Sequence, residues 1–436
     1  MNVTKMSVRL AAVAGLALWT AALHPATATE APADRGEYVA RAGNCVACHS
    51  IADAPPFSGG LKMATPLGAI YTTNITPDAK TGIGGYTYED FDRAVRLGIA
   101  KDGHRLYPAM PYPSYAKMNE EDMQALYGFF MKTVKAAEVA NKPSEIPSPL
   151  NMRWPLAIWN FVFADDERYT PKAEHDAAWN RGAYLVQGLG HCGACHSPRG
   201  LAFNEKGYTE QDGQFLLGAP LDNWSASNLR QDINTGLGKW SQEDLVTYLK
   251  TGHNRYGTAF GTMTEVINNS TQYMTDDDVG AIATYLRAIP GGREKDANAF
   301  AYDASTAKDL LAREFAKPGA LVYAQSCMTC HLADGAGHAP YLPPLAGNPV
   351  TVDPSPASLI NIVLNGTQRI VVDGMPDAYK MPQYRVLLSD QEIADAVTFI
   401  RSGWGNKAAP VTAKEVADMR KLTDPASDQI NILRMK

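Results

Sequence analysis

Apolar residues recur at helical spacing in three similar segments of the chain, and each segment surrounds one pair of cysteines. Every segment opens with an amphipathic stretch that predicts a helix. These stretches are Arg35-Gly-Glu-Tyr-Val-Ala-Arg, Arg181-Gly-Ala-Tyr-Leu-Val-Gln and Pro318-Gly-Ala-Leu-Val-Tyr. Because all three lead directly into the cysteines, the pattern predicts an internal repeat of one helical unit.

A second helix is predicted later in each repeat. Gly82-Ile-Gly-Gly-Tyr-Thr-Tyr-Glu-Asp-Phe matches Gly236-Leu-Gly-Lys-Trp-Ser-Gln-Glu-Asp-Leu. Thr87 and Ser241 each stand three residues before an aspartate, a spacing close to the capping box of a helix start. The predicted helices end at glycines, namely Gly98, Gly252 and, in the third repeat, Gly366.

A third helix closes each repeat. Its start signals are Asn119, Thr275 and Ser389, each followed by acidic residues and then by an apolar run. The stretch from Ala413 to Leu422 predicts one more short helix near the end of the chain. The first two repeats resemble each other more than either resembles the third.

The cysteine pairs supply the chemistry. They occur as Cys45-Val-Ala-Cys48-His49, Cys192-Gly-Ala-Cys195-His196 and Cys327-Met-Thr-Cys330-His331, which together use all six cysteines of the chain. Cys-x-x-Cys-His is the attachment signature of haem c. Residues three apart lie on one face of a helical turn, so both thiols can reach one edge of a porphyrin while the histidine coordinates its iron. The pattern predicts three covalently bound haem c groups.

Other uses of Cys-x-x-Cys fit less well. A structural zinc site needs four ligands, usually from two cysteine pairs close together, whereas these pairs lie more than a hundred residues apart. A thioredoxin-like redox pair belongs to a βαβ pattern and would not recur three times. Disulfides within the pairs would leave the three adjacent histidines without a role.

Helix, haem motif, long loop, short helix, ligand loop and closing helix is the order of a class I cytochrome c domain. The sequence therefore predicts a mainly α protein of three such domains in tandem, each wrapped around one haem. The predicted divisions are a signal peptide over 1–28, domain 1 over 29–145, a linker over 146–174, domain 2 over 175–290, a linker over 291–314, domain 3 over 315–406 and a tail over 407–436.

A methionine recurs between the short helix and the closing helix of each repeat. Met110, Met263 and Met381 stand there, 12, 11 and 15 residues past the terminal glycine of the short helix. Most methionines fill protein cores, and this chain has fifteen, so the evidence lies in the shared position. These residues are the predicted sixth ligands, opposite His49, His196 and His331. A six-coordinate iron has no open position for substrate, so the pattern favours electron transfer over catalysis.

Alternative ligands remain open at this stage. Met375 competes with Met381, and Met118 competes more weakly with Met110. His104 and His253 could produce bis-histidine haems, but their position beside a helix end indicates surface residues. Other side chains are expected near the haems. Arg199 is a candidate propionate partner, and Tyr71-Thr-Thr-Asn74-Ile-Thr and Ser227-Asn228-Leu are candidate haem-edge segments.

The first 28 residues predict export. Lys5 and Arg9 precede an apolar run from Leu10 to Leu23, which is too short to span a bilayer, and Ala26-Thr27-Ala28 offers a cleavage site. Losing those two positive charges changes the formal net charge from −6 to −8, so nucleic acid is a poor candidate partner. The expected location is the periplasm.

No later stretch has the length and apolarity of a transmembrane helix. The most apolar part of any linker is the segment from Asn151 to Phe163. It could lie against a membrane surface, lie against a large partner subunit, or pack between two haem domains.

Several of these stretches resemble the triheme cytochrome c subunits of membrane-associated dehydrogenases. The resemblance runs from about Arg35 to Asn406 and is carried by these segments: Tyr71-Thr-Thr-Asn-Ile-Thr-Pro-Asp, Leu106-Tyr-Pro-Ala-Met-Pro-Tyr-Pro-Ser-Tyr, Gly190-His-Cys-Gly-Ala-Cys-His-Ser-Pro-Arg, Pro344-Leu-Ala-Gly-Asn-Pro, Leu388-Ser-Asp-Gln-Glu-Ile-Ala-Asp and Arg401-Ser-Gly-Trp-Gly-Asn.

The resemblance implies a subunit that is not catalytic alone. It implies a catalytic partner, either a quinoprotein, a flavoprotein or a molybdenum enzyme, that oxidises an alcohol, a sugar acid or an aldehyde. Electrons would pass through the three haems to ubiquinone or a soluble acceptor, with the complex attached peripherally to the outer face of the cytoplasmic membrane. Two alternatives differ in class: a free-standing periplasmic shuttle, and a haem peroxidase or reductase with one open site.

Overall fold

The computed structural model describes residues 34–296 and 298–425, so the predicted signal peptide lies outside the described residues. The described chain is mainly helical, which confirms the predicted class. Its helices are α1 Arg35–Ala42, α2 Cys45–His49, α3 Tyr88–Leu97, α4 Tyr112–Tyr115, α5 Glu120–Lys132, α6 Pro155–Phe163, α7 Ala177–Tyr184, α8 Gly193–His196, α9 Gln242–Thr251, α10 Thr262–Asn269, α11 Asp276–Ala288, α12 Ser305–Leu311, α13 Ala320–Ser326, α14 Met328–His331, α15 Pro349–Val352, α16 Ala357–Asn365, α17 Asp390–Ser402 and α18 Ala413–Leu422.

Strands in the described residues form three small antiparallel hairpins. They are β1 Lys62–Thr65 with β2 Gly68–Tyr71, β3 Ala219–Leu221 with β4 Trp224–Ala226, and β5 Val371–Val372 with β6 Met375–Pro376. Register pairs Lys62 with Tyr71 in the first hairpin and Ala219 with Ala226 in the second. A π-helical turn over Leu185–Leu189 continues α7, and 3₁₀ turns cover Thr271–Tyr273, Glu294–Asp296 and Gly403–Gly405.

The helix before each cysteine motif packs against the closing helix of the same repeat, as α1 on α5, α7 on α11 and α13 on α17. One glycine permits each crossing. A Cβ at Gly36, Gly182 or Gly319 would lie 2.2, 2.0 or 2.1 Å from a backbone carbonyl oxygen of the facing helix. No side chain fits at that distance, so the glycine that opens each repeat is required by close helix packing.

The predicted helix signals form as expected. Thr87, Ser241 and Ser389 each make a reciprocal capping box at the start of α3, α9 and α17. Gly98 and Gly252 end α3 and α9 in the left-handed conformation, which glycine adopts without strain. The predicted helix from Ala413 to Leu422 is confirmed as α18.

The first two repeats share one hydrophobic core, whereas the third has separate clusters of its own. Two tyrosines cross between the first two repeats in a reciprocal way. Tyr38 of α1 donates to Asp278 of α11 at 2.5 Å, and Tyr184 of α7 donates to Asp122 of α5 at 2.6 Å. Burial, followed by the hydrogen bond to Asp278, raises the pKa of Tyr38 to about 12. The two repeats therefore fold as one paired unit.

Both predicted linkers contain a helix, α6 in the first and α12 in the second. In the part of the chain that the structure describes, no helix is long and apolar enough to cross a membrane.

Candidate cofactor site

One cavity of about 1460 Å³ runs past all three Cys-x-x-Cys-His motifs. Its walls are mostly apolar and come from every repeat. Among the side chains that line it are Ile70, Phe130, Leu245, Ile282 and Leu359. A cavity of this size in a folded protein is far larger than a packing defect, so it is a site for bulky apolar ligands.

The motif cysteines lie on the short helices α2, α8 and α14 or, for Cys192 and Cys327, directly before them, and none of the six forms a disulfide. Burial raises the pKa of Cys45, Cys192, Cys195 and Cys327 to about 12, so these thiols are protonated at neutral pH. Among the described residues, no cluster of three or more His, Cys, Asp or Glu side chains has the geometry of a metal site. Pairs of thiols at the wall of an apolar cavity fit the covalent attachment of haem.

Each motif histidine has one ring nitrogen engaged with the backbone. Nδ1 of His49 lies 2.7 Å from the carbonyl oxygen of Thr73, and Nδ1 of His196 lies 2.6 Å from that of Ser227. Nδ1 of His331 lies 3.0 Å from the carbonyl oxygen of Pro343.

A carbonyl only accepts hydrogen bonds, so Nδ1 must carry the proton and Nε2 keeps its lone pair. Burial lowers the pKa of all three histidines and keeps the rings neutral. These carbonyls orient an imidazole ligand in the way that histidine ligands of metals are usually held.

The three predicted methionines line the same cavity as the three motif histidines. Met110 directly precedes the turn that starts α4, and the backbone of Met381 is fixed by a 3.0 Å hydrogen bond to Oγ1 of Thr367. Met263 differs from the expectation of a loop residue, because it lies in the first turn of α10.

The alternative ligands differ in their position relative to the cavity. Met375 is 73% exposed in the β5–β6 hairpin and does not line the cavity. Met118 is completely buried in the shared core and also lines the cavity, so it remains an alternative to Met110. His104 is exposed at the cavity edge and hydrogen-bonds Asp102.

The expectation of a surface residue is wrong for His253. The residue is 5% exposed, and its Nε2 lies 3.2 Å from Oδ1 of Asp377. Its ring also contacts Tyr341, with the ring centroids 5.0 Å apart. The second and third repeats meet here, and burial lowers the pKa of His253. Sequence alone could not show that the third repeat covers this helix end.

The polar residues at the second motif were only partly anticipated. Arg199, the candidate propionate partner, lines the cavity and donates to the carbonyl oxygens of Phe203 and Ala194. Glu205 was missed. It is 6% exposed, it lines the cavity, and its Oε2 has no hydrogen-bond partner among the described residues. Burial raises the pKa of Glu205 to about 7.

Two more features of the cavity wall are an acidic side chain, which no sequence pattern indicates, and a pair of backbone carbonyls. Oδ2 of Asp222 is also buried without a hydrogen-bond partner in the part of the chain that the structure describes, and burial raises the pKa of Asp222 to about 6. The carbonyls of Thr73 and Ser227 are backbone groups, but both fall inside the segments that the repeat comparison had marked as haem edges.

Comparison with known proteins gives a consistent picture. Residues 316–404 match the family model for cytochrome c. The gluconate 2-dehydrogenase cytochrome c subunit of Pantoea cypripedii is 51% identical over 407 residues, which is 92% of this chain and 92% of the relative.

Two further relatives cover most of the chain. The cytochrome c subunit of alcohol dehydrogenase (quinone) from Gluconobacter oxydans (strain 621H) is 45% identical over 97% of this chain and 89% of its own length. The fructose dehydrogenase cytochrome subunit of Gluconobacter japonicus is 36% identical over 91% of this chain and 84% of its own length.

Proposed function

This chain belongs to the family of cytochrome c subunits of membrane-associated dehydrogenases, and on that premise we propose that it carries electrons within such a complex through three haem c groups. The resemblance drawn from the sequence is therefore confirmed at the level of the family. A catalytic dehydrogenase subunit is its partner. The division into three tandem cytochrome c domains is part of the proposal and rests on the repeated helices.

The proposed attachment sites are the thiol pairs Cys45 and Cys48, Cys192 and Cys195, and Cys327 and Cys330. The proposed axial pairs are His49 with Met110, His196 with Met263, and His331 with Met381. Their support is that every one of these side chains lines one cavity, that the histidines are neutral, and that a carbonyl holds each ring by Nδ1.

Haem c, when bound, supplies an iron that gains and loses a single electron. The residues of this chain hold each imidazole in one tautomer, exclude water with an apolar wall, and supply a thioether that raises the potential relative to a second histidine. Held by one histidine and one methionine of this chain, each iron would have no open position for a substrate. This arrangement supports the reading of an electron relay and not that of a haem peroxidase or reductase.

The single observation that carries the proposal is the continuity of the cavity past all three motifs. A continuous apolar cavity would allow neighbouring haems to lie close together, and a short separation favours electron transfer from one haem to the next. The proposal also places the subunit in the periplasm, at the membrane surface, and takes ubiquinone as the final electron acceptor.

Haem content tests the proposal first. Purified chain expressed with a haem c maturation system should contain three haems by mass spectrometry. The double substitution Cys327→Ala and Cys330→Ala should remove one haem and leave the other two. A parent protein with fewer than three covalent haems would contradict the assignment.

Electron transfer is tested in membranes that carry the tagged chain and its co-purifying large subunit. Gluconate, an alcohol, fructose and an aldehyde are added separately while the reduced haem bands are recorded. At least one donor should reduce the haems, and carbon monoxide should leave the spectrum unchanged. Carbon monoxide binding to a substantial fraction of the haem would instead favour an open catalytic site. Recovery of the chain alone from the soluble fraction would favour a free shuttle.

A further inference from the structure

Helix α6 presents apolar side chains on its solvent side. Its nine residues, Pro155–Phe163, include no charged residue. Ile158, Phe161 and Val162 are exposed, Phe161 to 91%, and Trp154 just before the helix is exposed to 65%. Solvent-facing sides of helices in soluble proteins are ordinarily polar, so this face is built to be covered.

The opposite side of α6 is fastened to the protein. Nδ2 of Asn160 donates to the carbonyl oxygen of Leu97, and Oδ1 of Asn160 accepts from the hydroxyl of Tyr112 at 2.7 Å. Nε1 of Trp159 donates to the carbonyl oxygen of Ala202 at 2.8 Å. Since α6 is held by side-chain hydrogen bonds at two successive positions, it is a fixed platform and its apolar face has a defined direction.

The Trp159 bond also brings a second apolar segment beside α6. Residues 201–203 follow the second motif, and in this loop Leu201 is fully exposed while Phe203 is 45% exposed. Two separate parts of the chain therefore place large apolar side chains on the same surface. We call this surface, made of Trp154, Ile158, Phe161, Val162, Leu201 and Phe203, the α6 face.

Charged residues border the α6 face, with arginines beside its two segments and acidic residues beyond the end of α6. Arg153 precedes α6, with its guanidinium 3.6 Å from the ring centroid of Tyr107, and Arg199 is exposed at the start of the 201–203 loop. The acidic residues Asp165, Asp166 and Glu167 follow only after α6 has ended. Arginine is complementary to phosphate, and tryptophan is enriched at the level of lipid headgroups.

We propose that the α6 face is the surface by which this subunit rests on a lipid bilayer. A helix of nine residues is far shorter than the roughly 20 residues that span a bilayer, so it lies in the interface. The exposed side chains of α6 itself offer no hydrogen-bonding group, and the arginine and tryptophan at its start match lipid phosphates and headgroups, which favours a lipid surface over a protein partner.

The inference rests on the proposed electron-transfer function and gives it a location. Leu156 and Trp159 on the inner side of α6, and Ala202 and Phe203 of the loop, line the cavity that contains the cysteine motifs. An apolar electron acceptor dissolved in the bilayer would therefore meet the cavity wall directly beneath α6, without crossing water.

Vesicle binding of the haem-loaded chain tests the proposal. The probes are phosphatidylcholine vesicles with and without phosphatidylglycerol, and binding is measured by co-sedimentation. The test variant combines Ile158→Ser, Phe161→Ser and Leu201→Ser. The matched control combines Val386→Ser and Leu387→Ser, which replace apolar side chains that are 88% and 75% exposed elsewhere.

The parent and control should bind, more strongly when phosphatidylglycerol is present, and the test variant should bind at least about tenfold more weakly, because burial of even one large apolar side chain corresponds to about that factor. No binding by the parent, or equal binding by the test variant, would overturn the proposal. So would a test variant that still binds vesicles but no longer co-purifies with the catalytic subunit, since the face would then be a protein interface.

Haem content, melting temperature and reduction by the catalytic subunit are measured on the same samples. If the proposed function is right, donor-driven reduction of the test variant and its transfer to a soluble acceptor should remain, and only vesicle binding should fall. Failure of the proposed function would instead abolish donor-driven reduction in the parent, whatever its binding to vesicles.

Discussion

Glu205 should make the protein less stable as pH rises. The carboxyl is buried against α8, where the space is provided by Gly193, since a Cβ there would lie 2.7 Å from Oε2 of Glu205. The groups that act on this carboxyl are the nearby Arg199, which opposes the raised pKa, and Tyr208, whose own pKa is raised by burial and by Glu205. The informative substitution is Glu205→Gln, which removes the titration and nearly preserves the shape.

The sign follows from linkage. Burial raises the pKa of Glu205 from 4.5 to about 7, so the folded state holds a proton that the unfolded state has already released. The stability tied to this proton is complete below about pH 4.5 and is lost progressively up to about pH 7. A difference of about 2.5 pH units at 1.36 kcal/mol each gives about 3 kcal/mol in total. Most of it, about 2.5 kcal/mol, falls between about pH 5 and about pH 8.

Urea unfolding followed by far-ultraviolet circular dichroism measures the effect in the haem-loaded chain. Burying the glutamine amide changes the free energy of unfolding by an amount that does not depend on pH. The test is therefore how the difference between variant and parent varies with pH. The free-energy difference between Glu205→Gln and the parent should change by about 2.5 kcal/mol in favour of the variant between about pH 5 and about pH 8. The same substitution at an exposed position, Glu167→Gln, is the matched control. A pH-independent difference for Glu205→Gln would show that the carboxyl is already ionised in the folded protein, and the reasoning would be refuted.

Other predictions address ligation and packing. Met381→Ala should lower the reduction potential of one haem and allow carbon monoxide to bind it. Met375→Ala should leave the potentials and carbon monoxide binding unchanged. The opposite result in a redox titration would identify Met375 as the ligand. Gly182→Ala should lower the free energy of unfolding by about 1–3 kcal/mol, because the new Cβ would meet a backbone carbonyl of α11. Gly280→Ala, where a Cβ would have no atom within 4 Å, should leave that free energy unchanged or raise it. Equal unfolding free energies of the two variants in urea denaturation would contradict this prediction. Tyr38→Phe should cost about 1.5–3 kcal/mol by removing the hydrogen bond to a carboxylate of α11, and an unchanged unfolding midpoint would argue against the pairing of the first two repeats.

Some residues of the candidate site could be identified from the sequence, and others could not. Local spacing and recurrence were enough to select the cysteine motifs and the three methionines as candidates, and all of them line one cavity in the structure. Glu205 could not be found in this way. A glutamate is ordinarily solvated, and only the fold shows that a glycine in the second motif leaves room for its carboxyl. His253 was misread for the same reason, since the third repeat that buries it is distant in sequence.

By itself the sequence determined the local chemistry: three cysteine motifs, the helix starts at Thr87, Ser241 and Ser389, and the repeat that relates them. These features depend on residues within a few turns of one another. The tertiary structure alone decided how the repeats combine. It pairs the first two through Tyr38 and Tyr184, joins the motifs in one cavity, and turns the apolar face of α6 outward. The two tyrosine contacts link residues 240 and 62 positions apart, and their energies depend on burial and distance that no local pattern contains.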